Sequence, residues 1–109
     1  MSKKKYYLQA VSPLGQKIHI IKSYWAYIVE KKHPSVAKQE KFVLKTLTDP
    51  DTIKSSQKDS KVWLFYRKQK SVYLCVVVKV LDSKGFIITI YFTNKTKKGE
   101  IIYQPSKAP

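Results

Sequence analysis

Apolar and polar positions alternate with a period of two near both ends of this chain, and with a helical period between them. Residues 6–11 read as a strand. Ser12-Pro13-Leu14-Gly15 then has the residue order of a type I turn, with proline second. Residues 17–21 alternate again, with Ile18 and Ile20 on one face and Lys17 and His19 on the other, so the two segments predict a hairpin. Ser23 is a candidate helix N-cap, followed by Trp25, Ile28 and Val29 on one helical face. Pro34 disfavours helical geometry at His33 and should end that helix. Ser35 can cap a second helix with an apolar stripe of Val36, Val43, Leu44 and Leu47, ended by Thr48-Asp49-Pro50-Asp51.

Beyond this point the pattern is β. Residues 61–68, 72–80 and 86–92 are rich in Val, Ile, Phe, Tyr and Trp, which suit a pleated surface. Ser83-Lys84-Gly85 fits a three-residue hairpin loop with glycine in the left-handed position. That loop sets Val80, Val78 and Val76 opposite Ile88, Ile90 and Phe92, an apolar face for the helices to cover. On the other face Lys79 meets Thr89 and Val77 meets Tyr91. The loop at residues 69–71 leaves open whether Arg67 or Tyr66 shares the face of Lys79. The fold class expected is α+β: an N-terminal hairpin and two helices on one face of an antiparallel sheet of about four strands. A single domain over residues 1–109 is expected, with its core over 6–93 and a basic tail over 94–109.

Charge adds a partner to this picture. Twenty-two basic residues against seven acidic ones give a net charge of +15, which is self-repelling unless something acidic answers it. Nucleic acid is the commonest such partner, through phosphate contacts and counterion release. An acidic protein or an anionic membrane could also answer it, but the longest uncharged apolar run, residues 74–78, is far too short to span a bilayer. The lysines at positions 3–5 lead into an alternating strand rather than an apolar signal sequence. Cys75 is the only cysteine, so no intrachain disulfide or cysteine-based zinc site is expected, and the cytoplasm is the favoured compartment. There is no P-loop, GxGxxG, HExxH or carboxylate cluster, which argues against nucleoside triphosphatases, zinc proteases and two-metal nucleases. Neither metal nor cofactor is expected.

A few residues could carry chemistry. Arg67 is the only arginine, and its planar fork can hold a phosphate through two hydrogen bonds; a plain surface cation is the competing account. His33 can move protons near neutral pH, or simply end a helix with its ring half-packed. It precedes the helix expected to start at Ser35, whose free N–H groups would form an anion site. His19 is expected to be solvated. Lys79, Thr89 and Tyr91 would offer a cation, a hydroxyl and a phenol together. Tyr66, Tyr73, Tyr91, Trp63 and Phe65 interleave with basic residues as in proteins that stack unpaired bases, although Trp63 and Phe65 could equally be core.

The run His33-Pro34, Thr46-Leu47, Asp49-Pro50-Asp51-Thr52-Ile53, Phe65-Tyr66-Arg67, Val76-Val77-Val78-Lys79, Ile88-Thr89-Ile90-Tyr91 and Lys97-Lys98-Gly99 resembles the phage-associated branch of the barnase–EndoU–colicin–RelE-like (BECR fold) nucleases. The resemblance spans roughly residues 18–99. It implies helices on one face of a curved antiparallel sheet and a metal-independent RNA-cleaving site on the other. It also implies a toxin held by an acidic antitoxin or immunity protein. By position it matches His33, Arg67, Lys79, Thr89 and Tyr91 to the polar site, although no obvious catalytic glutamate is present.

The resulting expectation is an endoribonuclease in which the RNA 2′-hydroxyl attacks the adjacent phosphate. His33 would be base or acid, and Arg67 and Lys79 would stabilise the phosphorane. Tyr91 would stack a base or donate a proton, and Thr89 would position the phosphate. Tyr66, Tyr73, Lys97, Lys98 and Ser35 would bind RNA. A non-catalytic RNA- or DNA-binding module with the same basic face is the alternative.

Overall fold

A computed structural model describes residues 6–105. In chain order the elements are β1 (Leu8–Val11), β2 (Lys17–Ile20), α1 (Lys22–Tyr27), α2 (Glu40–Thr48), β3 (Thr52–Ser55), β4 (Val62–Gln69), β5 (Val72–Leu81), β6 (Lys84–Thr93) and β7 (Ile101–Tyr103). A π-turn at Ile28–Lys32 and a 3-10 turn at Pro34–Val36 lie between the helices. The strands form one sheet in the order β1-β2-β6-β5-β4-β3-β7. Neighbours are antiparallel except for β2 and β6, which run parallel.

The expected four-stranded antiparallel sheet with a separate hairpin and two covering helices is therefore corrected to a mixed seven-stranded sheet with two short helices. The hairpin forms as read, with the Gly15 amide donating to the Ser12 carbonyl at 2.9 Å, but it joins the sheet rather than packing on it. Gly85 lies in β6 close against β5: a Cβ there would lie 2.9 Å from Val78 Cγ1 and 3.1 Å from the Lys79 carbonyl oxygen, so any larger residue would press on β5. β3 holds one apolar residue, Ile53, among Thr52, Lys54 and Ser55, and β7 has only three residues, so neither shows an alternating pattern in the sequence. β7 lies within the segment read as a basic tail.

The helices are also shorter than expected. After α1 the chain widens into the π-turn, closed by the His33 amide donating to the Ile28 carbonyl at 2.7 Å. Ile21, not Ser23, is the N-cap of α1, and no side chain caps it. Ser35 sits inside the 3-10 turn, and Lys38 with φ of 66° breaks the chain again before Gln39 caps α2. One face of the sheet carries the main core. Ile18, Phe65, Val76, Val78 and Ile90 are buried there with Trp25, Ile28, Val36, Val43 and Leu47 from the helical segments.

The β5–β6 hairpin departs from its expected register, and Ile87 rather than Ile88 joins the main core while Ile88 packs on the other face. Asp82 takes the left-handed conformation with φ of 58°, which leaves a two-residue turn and pairs Leu81 with Lys84. Aspartate tolerates this conformation better than most side chains. A bulge at Ile88 then shifts the ladder by one, so Val77 faces Thr89 and Cys75 faces Tyr91. Lys79 faces Phe86, not Thr89.

Candidate nucleic-acid interface

Alternation along β4, β5 and β6 lays out the second face of the sheet in rows. From one end these are Lys68–Tyr73–Thr93, Tyr66–Cys75–Tyr91, Leu64–Val77–Thr89 and Val62–Lys79–Phe86. Tyr66, Leu64, Cys75 and Val77 form a second, smaller buried cluster, with Tyr73, Ile88 and Tyr91 packed against it. After β6 the chain crosses this face toward the far edge. The Lys97 amide donates to the Tyr66 hydroxyl at 2.9 Å, and Lys54 Nζ reaches Thr96 Oγ1 and the Lys97 carbonyl, both at 3.1 Å. The Ser55 amide donates to the Glu100 carbonyl at 2.8 Å, and β7 then pairs with β3. Residues 94–100 thus form a basic strap over the sheet.

Tyr91 is the meeting point. The His33 ring lies 5.8 Å from its ring centroid, and Lys97 Nζ lies 5.7 Å from it. Pro34 forces His33 out of the helical region, to φ −140° and ψ 79°, beside the β6 edge that β2 does not reach. Tyr73 repeats the arrangement one row away, with Lys68 Nζ 5.9 Å from its ring and Tyr66 edge-on at 6.1 Å. Lys58, Lys97 and Lys98 surround a hollow of about 360 Å³ floored by Leu64. Lysines beside aromatic faces suit a phosphodiester chain with unstacked bases.

The centre of the row stays neutral. Burial, above all, pushes the Cys75 thiol up to about 11. Burial and then the neighbouring thiol push the Tyr66 phenol up to about 12, against the pull of the Lys97 amide. Tyr91 is raised further, again chiefly by burial and then by Cys75. The buried hydroxyls of Thr89 and Tyr91 find no hydrogen-bond partner among the described residues, an unfavourable arrangement in a folded chain. Tyr91 therefore offers its ring rather than an acidic proton.

Of the residues singled out from the sequence, His33, Tyr66, Tyr73, Thr89, Tyr91 and Lys97 come together around this face, with Lys98 at its rim. Arg67 does not. It pairs with Leu74 on the main-core face, and its guanidinium holds the Asp49 carbonyl and carboxylate, the latter at 3.2 Å. Lys79 shares the face but stands two rows from Tyr91, roughly 13 Å along β5. Its Nζ donates to Asp59 Oδ2 at 2.6 Å, holding that carboxyl below the usual carboxylate range. Ser35 is exposed in the 3-10 turn, and the anion site expected there is missing: the Val36 and Ala37 amides donate to His33 and Pro34 carbonyls, and α2 begins only at Glu40. The His19 ring stacks on Tyr6 at 4.0 Å, while Phe65 is core and Trp63 packs partly against it.

Sequence reasoning missed Cys75, Lys54, Lys58 and Lys68 as parts of this face. Cys75 was within reach, since it shares the parity of Val77 and Lys79. The lysines carry no signal of their own among so many. Among the described residues no three His, Cys, Asp or Glu side chains cluster, and no helix is long and apolar enough to cross a membrane. Searches against protein-family models, curated proteins and solved structures each found no match.

Proposed function

We propose that the chain binds single-stranded RNA across the second face of its sheet and cleaves it without a metal beside Tyr91. The observation that carries this reading is the placement of His33 and Lys97 against one aromatic ring, a proton-transfer group and a cation sharing a platform for a base. In the reaction the 2′-oxygen forms a bond to the adjacent phosphorus while the bond to the 5′-oxygen breaks. His33 takes the 2′-hydroxyl proton, solvent protonates the leaving 5′-oxygen, and Lys97 offsets the phosphorane charge. The products are a 2′,3′-cyclic phosphate and a 5′-hydroxyl. Arg67 has no part in this site, and Lys79 contributes only to binding.

A non-catalytic RNA-binding module is the second reading. It is favoured by one feature: both Arg67 and Lys79 already hold carboxylates, leaving Lys97 as the cation nearest His33. Incubating the protein with total cellular RNA in excess EDTA, beside His33→Ala and Lys97→Ala variants, separates the two. Discrete cuts ending in 2′,3′-cyclic phosphate and lost in His33→Ala support the enzyme. Uncut RNA that still shifts on a gel supports the binding module.

A further inference from the structure

The strongest unassigned feature lies where β2 leaves β6. The parallel pairing lasts three residues, from Lys17–Lys84 to His19–Phe86, before the chain turns into α1. The gap that opens is a groove of about 380 Å³ walled mostly by Ile20, Ile21, Tyr24, Phe86, Ile87 and Ile88, with His19 as its one other side chain. Ile21 and Phe86 remain 46% and 42% exposed at its mouth, although both are apolar. The Tyr24 hydroxyl is engaged with the Ile88 carbonyl at 2.6 Å, and the His19 ring stacks on Tyr6 at 4.0 Å, so the wall is mainly apolar. Tyr27, itself exposed, extends the surface by stacking on Tyr24 at 5.8 Å.

Cations border this groove. Lys17 and Lys84 lie side by side at one end, Lys22 follows Ile21 at the other, and all three are exposed. Lys32 Nζ sits 6.0 Å from the Tyr27 ring. The nearest acid along these strands is Asp82, in the turn beyond Lys84. An apolar slot with a basic rim selects an occupant with an apolar anchor and flanking negative charge. A nucleobase is disfavoured because its edges would lose their hydrogen bonds against such a wall. A second copy is disfavoured because each carries a net charge of +15.

We propose that this groove docks an acidic segment of a partner protein, a large apolar side chain of which fills the slot while its carboxylates meet Lys17, Lys22 and Lys84. The inference does not depend on RNA cleavage. The occupant would lie about 10 Å from Tyr91, three residues along β6, at the end of the sheet where Phe86 stands opposite Lys79.

The test is selection of short random peptides on the immobilised protein. The peptides recovered should be rich in Asp and Glu around one or two Phe, Trp, Leu or Ile residues. They should bind the Phe86→Ser and Ile21→Ser variants about tenfold or more weakly, as loss of an anchor contact predicts. Both substitutions are at exposed positions, and an unchanged thermal midpoint confirms the fold. RNA affinity of Ile21→Ser, a position outside the rows of β4, β5 and β6, should stay within about twofold, which separates this inference from the fate of the RNA reading. Selected peptides without acidic residues, or acidic peptides that bind both variants as well as the parent, overturn the proposal. So does RNA crosslinking to Ile21 or Tyr24, or a protein dimer that Ile21→Ser dissociates.

Discussion

At the residue scale the most distinctive group is the row Tyr66–Cys75–Tyr91, three ionisable side chains held neutral across neighbouring strands. The unfolded thiol ionises near 9.0, while the folded one is pushed up to about 11. Between these values the unfolded chain has lost a proton that the folded chain keeps, so rising pH favours unfolding. The contribution is intact below pH 9 and is lost on the order of 2 kcal/mol by pH 11. Cys75→Val should therefore flatten the dependence of the thermal midpoint on pH across that window, measured by circular dichroism. Parallel curves for the two proteins would mean that the thiol is not shielded as described. Arg67 makes a different point. Its ties to Asp49 anchor the end of α2 to β4, so Arg67→Ala should cost roughly 1 kcal/mol of stability. RNA binding and the cleavage pattern should be unaffected; a loss of RNA affinity without a loss of stability would return Arg67 to the site.

At the element scale the strap over residues 94–100 decides whether Lys97 meets Tyr91. Gly99 lets it pass close to β3, because a Cβ there would fall on the Ser55 carbonyl oxygen. Gly99→Ala should push the strap outward, weaken RNA binding several-fold and raise amide exchange at residues 96–100. RNA affinity equal to that of the parent would show that the strap is not part of the binding face. The strap also marks where the sequence stopped being legible. β5 and β6 are ten residues each, and their period-two alternation grouped Thr89, Tyr91 and Lys79 on one side, but the bulge at Ile88 exchanged the expected sides of Ile87 and Ile88. Their register was not legible. Gly85 looked like a turn glycine, but Asp82 takes the left-handed position and Gly85 sits in β6 instead, close against Val78 and Lys79 of β5. Adjacent strand residues take opposite faces, but the loop at residues 69–71 left open which of Tyr66 and Arg67 shares the face of Lys79, and only the pairing of β4 with β5 assigns it to Tyr66. The strap and β7 are held by single long-range hydrogen bonds and a three-residue strand, which leave no periodic trace.

At the scale of the whole molecule the question is where the charge acts. Three ion pairs occur among the described residues, and they draw on only two carboxylates, Asp49 and Asp59. Such pairs are neutral, so the whole net charge of +15 is left for a partner, and a surface so basic attracts polyanions wherever it is touched. What distinguishes a site from this background is a localised share of the salt dependence. Lys58, Lys68, Lys97 and Lys98 flank the aromatic face, and four phosphate contacts on single-stranded RNA predict a slope of log affinity against log salt of about −3. Replacing Lys97 and Lys98 together by alanine should reduce that slope by about 1.4, whereas Lys17→Ala with Lys84→Ala, at the apolar groove, should leave it nearly unchanged. Fluorescence anisotropy of a labelled single-stranded RNA over a salt series measures both. If the two double variants lose equal amounts of slope, RNA is meeting the overall charge rather than one face, and the aromatic platform around Tyr91 has no special claim on it.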